Sequence, residues 1–362
     1  MAAEPPSWVL WLDEPGACVA TLGGKVASLA EMAAAGFAVP PAFGVTTAAL
    51  DRFASSGLAE AVAQVRGSLD TADHDAVESA SRQIGALIEG TPVPNELAEA
   101  IGAAYARLCR VAGSERVPVA VRSSAINEDL DGASFAGQYE TYLWISGADD
   151  VVHHVRRCWA SLFNPAALTY RPAAAAEAAD DAPVPGMCVG VQVMVPARSA
   201  GVMLTIDPVS GDRSRMVIES CWGLGEGVVK GDVTPDRHRV DKVSLRVVDR
   251  VVSDQSHEYR YDDAAGAVGL MPITGGRGAD CSLAEEEVVA IAELGKRLER
   301  HRGGPQDVEW AIAGDGSLHL LQSRPETARA LRRDDRGPAG EPGSAAERVI
   351  STFLGFTGGT RR

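Results

Sequence analysis

The chain has 362 residues, of which 46% are hydrophobic and 23% charged, and its mean hydropathy is -0.03. This profile supports a buried core, excludes disorder as the main state and, by usual domain size, gives two domains or lobes. With 34 Lys+Arg against 49 Asp+Glu the formal charge is -15, which repels nucleic acid and anionic membrane, so phosphate binding would have to rest on local Lys and Arg.

The six cysteines, Cys18, Cys109, Cys158, Cys188, Cys221 and Cys281, are scattered, with no CxxC pair and no Cys/His cluster at zinc-ligand spacing. That usage fits a reduced, cytoplasmic setting. Residues 1–6 carry Glu4 and two prolines and lack a basic segment followed by an apolar one, so no secretory signal is expected. No apolar run approaches the roughly 20 residues of a membrane-spanning helix.

In chain order, Gly23-Gly24-Lys25 closes a short apolar stretch and precedes an amphipathic helix with Val26, Leu29, Ala30 and Ala33 on one stripe, stopped by Gly36. Pro40-Pro41 breaks the chain, and Thr46 or Thr47 caps a second helix that ends near Gly57. Residues 58–112 alternate helical patterns with polar turns and read as scaffold. A β-rich run at 117–121 ends in Arg122-Ser123-Ser124, followed by a small polar loop at 127–137. A helix is predicted over residues 150–171, then an Ala-rich connector that closes a first lobe at residue 185.

The second lobe, 186–330, opens with apolar runs at 187–195 and 201–206 that read as neighbouring strands of one buried sheet. A strand at Val217-Ile218-Glu219 leads into Trp222-Gly223-Leu224-Gly225-Glu226-Gly227. A charged amphipathic helix follows at 282–302, and two strands flanking Gly314-Asp315-Gly316 close the lobe. From residue 331 the chain is rich in Gly, Arg and Asp and reads as a flexible tail.

Asp315-Gly316 between alternating runs is a hairpin signal for a two-residue turn. Pairing Gly314 with Ser317 places Glu309 opposite Gln322 and Asp307 opposite Arg324, with all four side chains on one face. Val308, Trp310 and Ile312 then point to the other face, with Leu321 beside them. Two carboxylates beside an amide and a guanidinium suit a metal-phosphate site, since hard oxygens hold Mg²⁺ and Arg grips phosphate in a fork. The same quartet also suits a solvated hairpin with a cross-strand Asp-Arg pair. Gly23-Gly24-Lys25 either presents backbone N–H groups and an ammonium to phosphate or is a glycine turn with a surface lysine. Arg122 is either a phosphate ligand or the partner of Glu128 or Asp129. The Trp222 to Gly227 loop either approaches a ligand or is a tight turn. None of the seven histidines has the setting of a nucleophile, and His153-His154 reads as the surface start of a helix.

Together these segments resemble the N-terminal nucleotide-binding domain of phosphoenolpyruvate synthase and pyruvate phosphate dikinase, which rifampin phosphotransferase shares. The blocks that carry the resemblance run in order from about residue 10 to 328. They are Leu22-Gly-Gly-Lys25 with Gly36-Phe-Ala-Val-Pro-Pro41, Val119-Ala-Val-Arg-Ser-Ser-Ala125, Ala133-Ser-Phe-Ala-Gly-Gln138, Cys158-Trp-Ala-Ser-Leu-Phe163, Gly201-Val-Met-Leu-Thr-Ile-Asp-Pro208, Trp222-Gly-Leu-Gly-Glu226, and Gln306-Asp-Val-Glu-Trp310 with Leu321-Gln-Ser-Arg-Pro325.

The resemblance implies an α+β, ATP-grasp-like two-lobed nucleotide-binding fold with ATP held between the lobes and its phosphates facing Mg²⁺. It implies that Lys25 and Arg122 contact the triphosphate, that the loop from Gly137 to Thr141 covers it, and that the strand holding Gln192 borders the adenine. Glu309 and Gln322 would hold Mg²⁺, with Asp307 nearby and Arg324 on the phosphate; Arg122 and Arg324 are the candidate catalytic residues. Family members pass the phosphoryl group through a histidine in a Thr-Cys-His-Ala type motif on a separate domain. Here Thr274-Gly-Gly-Arg277 continues as Gly278-Ala279-Asp280 instead. The expectation is therefore one subunit of a split enzyme, in the manner of phenylphosphate synthase. It would work with a histidine-bearing partner and a small acceptor, phenolic compounds included, with neither nucleic acid nor membrane as partner. The competing expectations are a self-sufficient small-molecule kinase making ADP and a non-catalytic nucleotide-sensing subunit.

Overall fold

The computed structural model describes residues 7–55, 57–126, 140–169 and 184–326. It mixes helix and sheet, and the chain divides into two units, Met1–Gly36 with Pro41–Met194, and Phe37–Pro40 with Val195–Arg362. The loop candidate Gly137, the polar loop at 127–137 with Glu128 and Asp129, and the tail from residue 331 lie outside the described residues.

The first unit holds an antiparallel five-stranded sheet of β1 (Val9–Trp11), β2 (Ala42–Val45), β3 (Val119–Ala125), β4 (Thr141–Ile145) and β5 (Met187–Val193), in the order β1-β2-β5-β3-β4. Its helices are α1 (Val19–Ala34), α2 (Thr47–Ala54), α3 (Leu58–Gly67), α4 (His74–Gly90), α5 (Asn95–Val111), α6 (Ala148–Ala160) and α7 (Pro165–Thr169). The helix predicted over 150–171 is thus two helices, because Ser161–Phe163 tightens into a 3₁₀ turn before Pro165 starts the next. That puts His153 and His154 inside α6 rather than at its start.

The apolar run at 187–195 does not sit beside the one at 201–206. β5 pairs with β2 and β3 in the first sheet, and the chain passes to the second unit after Met194. Uninterrupted apolar runs lack the alternation that would distinguish one sheet from another. One face of this sheet carries Phe43, Val45, Val119, Val121, Met187, Val189 and Val191 and packs with helical residues including Phe53, Ile101, Leu108 and Trp159 in the main core. Phe53 and Trp159 stack there with ring centroids 4.9 Å apart.

The opposite face is reserved for α1. A Cβ on Gly44 would stand 2.4 Å from Leu22 Cδ2, and one on Gly190 would stand 2.7 Å from Val26 Cγ2, so two glycines let the helix rest on bare backbone. The helix is broken at Gly23, which has φ 65° and ψ 176°. Ser124 on β3 fills the break. Its Oγ donates to Leu22 O at 2.8 Å and accepts from Val26 N–H at 3.1 Å, restoring the turn's lost backbone partners.

The second unit is a six-stranded antiparallel sheet in the order β13-β12-β6-β7-β8-β9, plus a separate hairpin, β10-β11. The strands are β6 (Ala197–Leu204), β7 (Arg215–Trp222), β8 (Asp236–Asp241), β9 (Val247–Val251), β10 (His257–Asp262), β11 (Ala267–Pro272), β12 (Gln306–Ala313) and β13 (Leu318–Pro325). Two helices accompany them, α8 (Glu226–Lys230) and α9 (Glu285–Arg302). α9 covers one face of the sheet, where a Cβ on Gly295 would come within 2.7 Å of Met203 Sδ. His238 lies fully buried on this side, with Cys281 Sγ 3.5 Å from its Nε2. All six cysteines are free thiols. Among the described residues no helix is long and apolar enough to cross a membrane.

Two stability tests follow from these contacts. Gly23→Ala should cost about 2 kcal/mol or more, since its Cβ would stand 1.8 Å from Ser124 O at a left-handed φ. Ser124→Ala should cost about 1–3 kcal/mol through the two stranded backbone groups. Urea unfolding reads both, and wild-type stability in Gly23→Ala would refute the docking of the helix break. Burial, aided by the cross-strand Arg250, holds the His238 imidazole below its usual range. Below about pH 6.5 the unfolded chain takes up a proton that the folded one resists, so stability falls as pH drops. Between pH 7.5 and 5.5 the urea midpoint of wild type should fall further than that of His238→Met; equal slopes would remove His238 as the cause.

Candidate functional site

Each unit presents its own set of candidate residues. In the first, antiparallel register puts Arg122 opposite both Gly190 and Thr141, and Ala120 opposite Gln192, so Arg122, Thr141 and Gln192 share the α1 face of the sheet. Ser124 shares that face and anchors the helix break two residues from Lys25. The seam between β3 and α1 therefore brings the Gly23-Gly24-Lys25 segment to the strand that carries Arg122. Lys25 is only 8% exposed and Arg122 9%, so Lys25 is not the surface lysine of an ordinary turn. Gln192 is 3% exposed, and among the described residues its Nε2 finds no hydrogen-bond partner. A buried amide donor left open is costly to the fold and suits a ligand that accepts from it. Thr141, at the start of β4, is exposed.

In the second unit, β12 and β13 place Asp307 opposite Arg324 and Glu309 opposite Gln322, the pairs expected from the sequence. The turn itself differs. Ala313 pairs with Ser317 around a three-residue loop, and a bulge beyond Trp310 then shifts the register by one residue. The two offsets cancel, so the outer pairs are restored. The bulge also corrects the position of Leu321. Leu320 faces Trp310, while Leu321 packs with Ala311 and Ala313 on the opposite side.

Arg324 donates from Nε at 3.0 Å and from a terminal nitrogen at 2.7 Å to one oxygen, Oδ2, of Asp307. The cross-strand ion pair thus exists, and it fixes the guanidinium so that Asp307 positions Arg324. Gln322 is buried and Glu309 half-buried. Their side-chain oxygens, from a carboxylate and an amide, are hard donors of the type Mg²⁺ takes. No group of three His, Cys, Asp or Glu suited to a metal occurs among the described residues, and Mg²⁺ commonly uses one or two protein ligands with water and phosphate oxygens as the rest.

Register extends this face across the sheet. Gln322, Glu309, Val202, Glu219 and Arg237 form one cross-strand row. Glu219 is almost fully buried, a further carboxylate on the Glu309 side that reading the sequence did not single out. Its signal was an acid inside an otherwise apolar strand, but only the register places it. Ser124 was likewise missed as a functional residue, because its partners are about a hundred positions away.

The Trp222 to Gly227 loop has a structural explanation. A Cβ on Gly223 would meet Tyr259 O at 2.4 Å, and Leu224 N–H donates to the same oxygen. Arg277, from the Thr274-Gly-Gly-Arg277 segment, lies over the Trp222 ring at 4.6 Å and pairs with Glu258 at 2.6 Å.

Residues 19–341 match the family model described as pyruvate phosphate dikinase, AMP/ATP-binding domain. The chain is 42% identical to the probable phosphoenolpyruvate synthase of Methanocaldococcus jannaschii over 88% of its own length and 27% of that protein. It is 40% identical to the probable phosphoenolpyruvate synthase of Methanothermobacter thermautotrophicus, over 91% of this chain and 49% of that one. For the phosphoenolpyruvate synthase of Pyrococcus furiosus the identity is 34%, over 96% and 48%. The chain thus spans between about a quarter and a half of the length of these relatives. With the family model covering most of its length and these relatives aligned to nearly all of it, the chain belongs to the pyruvate phosphate dikinase AMP/ATP-binding domain family.

Proposed function

We propose that this chain binds Mg-ATP and is the ATP-cleaving part of a dikinase-type phosphotransferase with an ATP-grasp-like fold. A histidine on a partner subunit would carry the phosphoryl group to a small acceptor, a phenol being the acceptor class favoured by the resemblance to phenylphosphate synthase. Overall, ATP, water and the acceptor hydroxyl would give AMP, inorganic phosphate and the phosphorylated acceptor. The observation that carries the reading is the hairpin quartet, Asp307 with Arg324 and Glu309 with Gln322, in a chain of this family.

In this reading each unit supplies its own residues to Mg-ATP binding. Lys25 and Arg122 bind phosphate oxygens, with Arg122 offering a planar fork. Arg324, already oriented by Asp307, adds a second guanidinium where charge develops. Gln192 donates its open amide hydrogen to the adenine edge, and Thr141 with the loop from Gly137 borders the triphosphate. Glu309 and Gln322 would hold Mg²⁺, which would supply neutralisation of the triphosphate charge. Phosphoryl transfer of this kind depends on positioning and electrostatics, so no internal base is required.

Arg122→Ala and Glu309→Ala should each reduce ATP cleavage by about a hundredfold or more with the melting temperature unchanged. Full activity in either purified variant would refute the assignment of that residue. Product analysis tests the reaction class. Incubated with Mg-ATP and a histidine-bearing partner, the chain should yield AMP together with a phosphorylated histidine. ADP from the chain alone would identify a self-sufficient kinase, and tight ATP binding without turnover in the presence of the partner would identify a sensing subunit.

A further inference from the structure

A concentration of positive charge lies in the second unit, on residues that were not assigned to the nucleotide. Arg213, Lys242, Lys296, Glu299, Arg300, Gly303 and Gly304 line a pocket of about 340 Å³. Four of these side chains are cationic and one is acidic, in a chain whose formal charge is -15. Lys242 is tied to Glu299, with Nζ 2.5 Å from Oε2. Arg213, Lys296 and Arg300 take part in no salt bridge among the described residues.

The backbone that delivers these cations is well anchored. The connection between β6 and β7 is held by Asp207, whose Oδ1 accepts from Val209 N–H and Ser210 N–H, and by Asp212, whose Oδ1 accepts from Ser214 N–H. The β8–β9 turn is held by Asp241 Oδ1, which accepts from Val243 N–H and Ser244 N–H. Lys242 N–H then donates to Ser214 O, joining the two turns and bringing Arg213 and Lys242 together. Lys296 and Arg300 stand four residues apart on α9, so they share a face and repel one another. The helix dipole favours cations in the last turn of α9, which accounts for Arg300. It does not account for Arg213 and Lys242, which arrive from two separate turns. A cluster of like charges gathered from three elements is destabilising until an anion neutralises it.

We propose that this pocket is a second anion site, taking a small phosphate-bearing ligand of two or more negative charges. Its volume falls within the range of small-molecule sites. Arg213 and Arg300 would each offer a guanidinium fork, Lys296 a point charge, and the Lys242–Glu299 pair would form a fixed wall. The site lies on the α9 side of the sheet, whereas Glu309 and Gln322 project from the other face, so it is separate from the metal and phosphate ligands proposed above.

The test is isothermal titration of the full chain with inorganic pyrophosphate and, separately, inorganic phosphate, in Mg²⁺-free buffer. Pyrophosphate should show a binding event in wild type that persists in Lys25→Ala. Binding should weaken about tenfold or more in Arg213→Ala/Arg300→Ala and several-fold in Lys296→Gln, since each removes charge-assisted contacts to the anion. Arg213 and Arg300 are exposed, so unchanged melting temperatures should confirm that these variants fold. Equal affinity for phosphate would mark the free ion as sufficient, and a preference for pyrophosphate would mark a ligand with two phosphoryl groups. Absence of binding to wild type, or binding that survives Arg213→Ala/Arg300→Ala and disappears in Lys25→Ala, would overturn the proposal.

Discussion

The hydroxyl of Ser124 holds the first unit's candidate site together. By donating to Leu22 O and accepting from Val26 N–H, it stabilises a break in α1 that only a residue without a side chain can occupy at position 23. The break delivers Lys25 to the strand that carries Arg122 and keeps both side chains largely out of solvent. Gly44 and Gly190 complete the arrangement by removing the side chains that would hold α1 off the sheet. Four small residues, Gly23, Gly44, Ser124 and Gly190, thus set where the long charged ones point.

The second unit solves the same problem with a hairpin instead of a helix. Strand register, rather than a capping hydroxyl, aligns Asp307 with Arg324 and Glu309 with Gln322. The bulge beyond Trp310 matters because a slip of one residue reverses the face of every side chain beyond it. It leaves Trp310 buried on the α9 side while the candidate quartet stays on the other. Carboxylates gather on the quartet's face, with Glu309 and Glu219 in one cross-strand row. The cationic pocket beside α9 lies on the opposite side.

What could be read from residue order alone was local. The Gly23-Gly24-Lys25 segment, the helix after it, the strand leading to Arg122 and the pairing of Glu309 with Gln322 were all legible, because turn chemistry and periodicity act over a few residues. The hairpin reading reached the right outer pairs through a turn one residue too short, a deviation that the bulge offset. The family resemblance was legible for a different reason: many short blocks in a fixed order identify a family even where each block is ambiguous. Leu321 went to the wrong face and β5 to the wrong sheet, and in both cases the deciding partner lay far along the chain.

The sequence by itself determined the α+β class, the nucleotide-binding family and the identity of the candidate ligands, since these depend on composition, local pattern and motif order. Only the tertiary structure decided that Lys25 is buried beside the β3 seam, that Asp307 pairs with Arg324, that Gln192 Nε2 finds no hydrogen-bond partner among the described residues, and that Glu219 shares the face of Glu309. It also decided that Arg213, Lys242, Lys296 and Arg300 meet in one pocket. Burial, register and convergence of charge are properties of segments brought together across long stretches of chain, and no local pattern encodes which segments will meet.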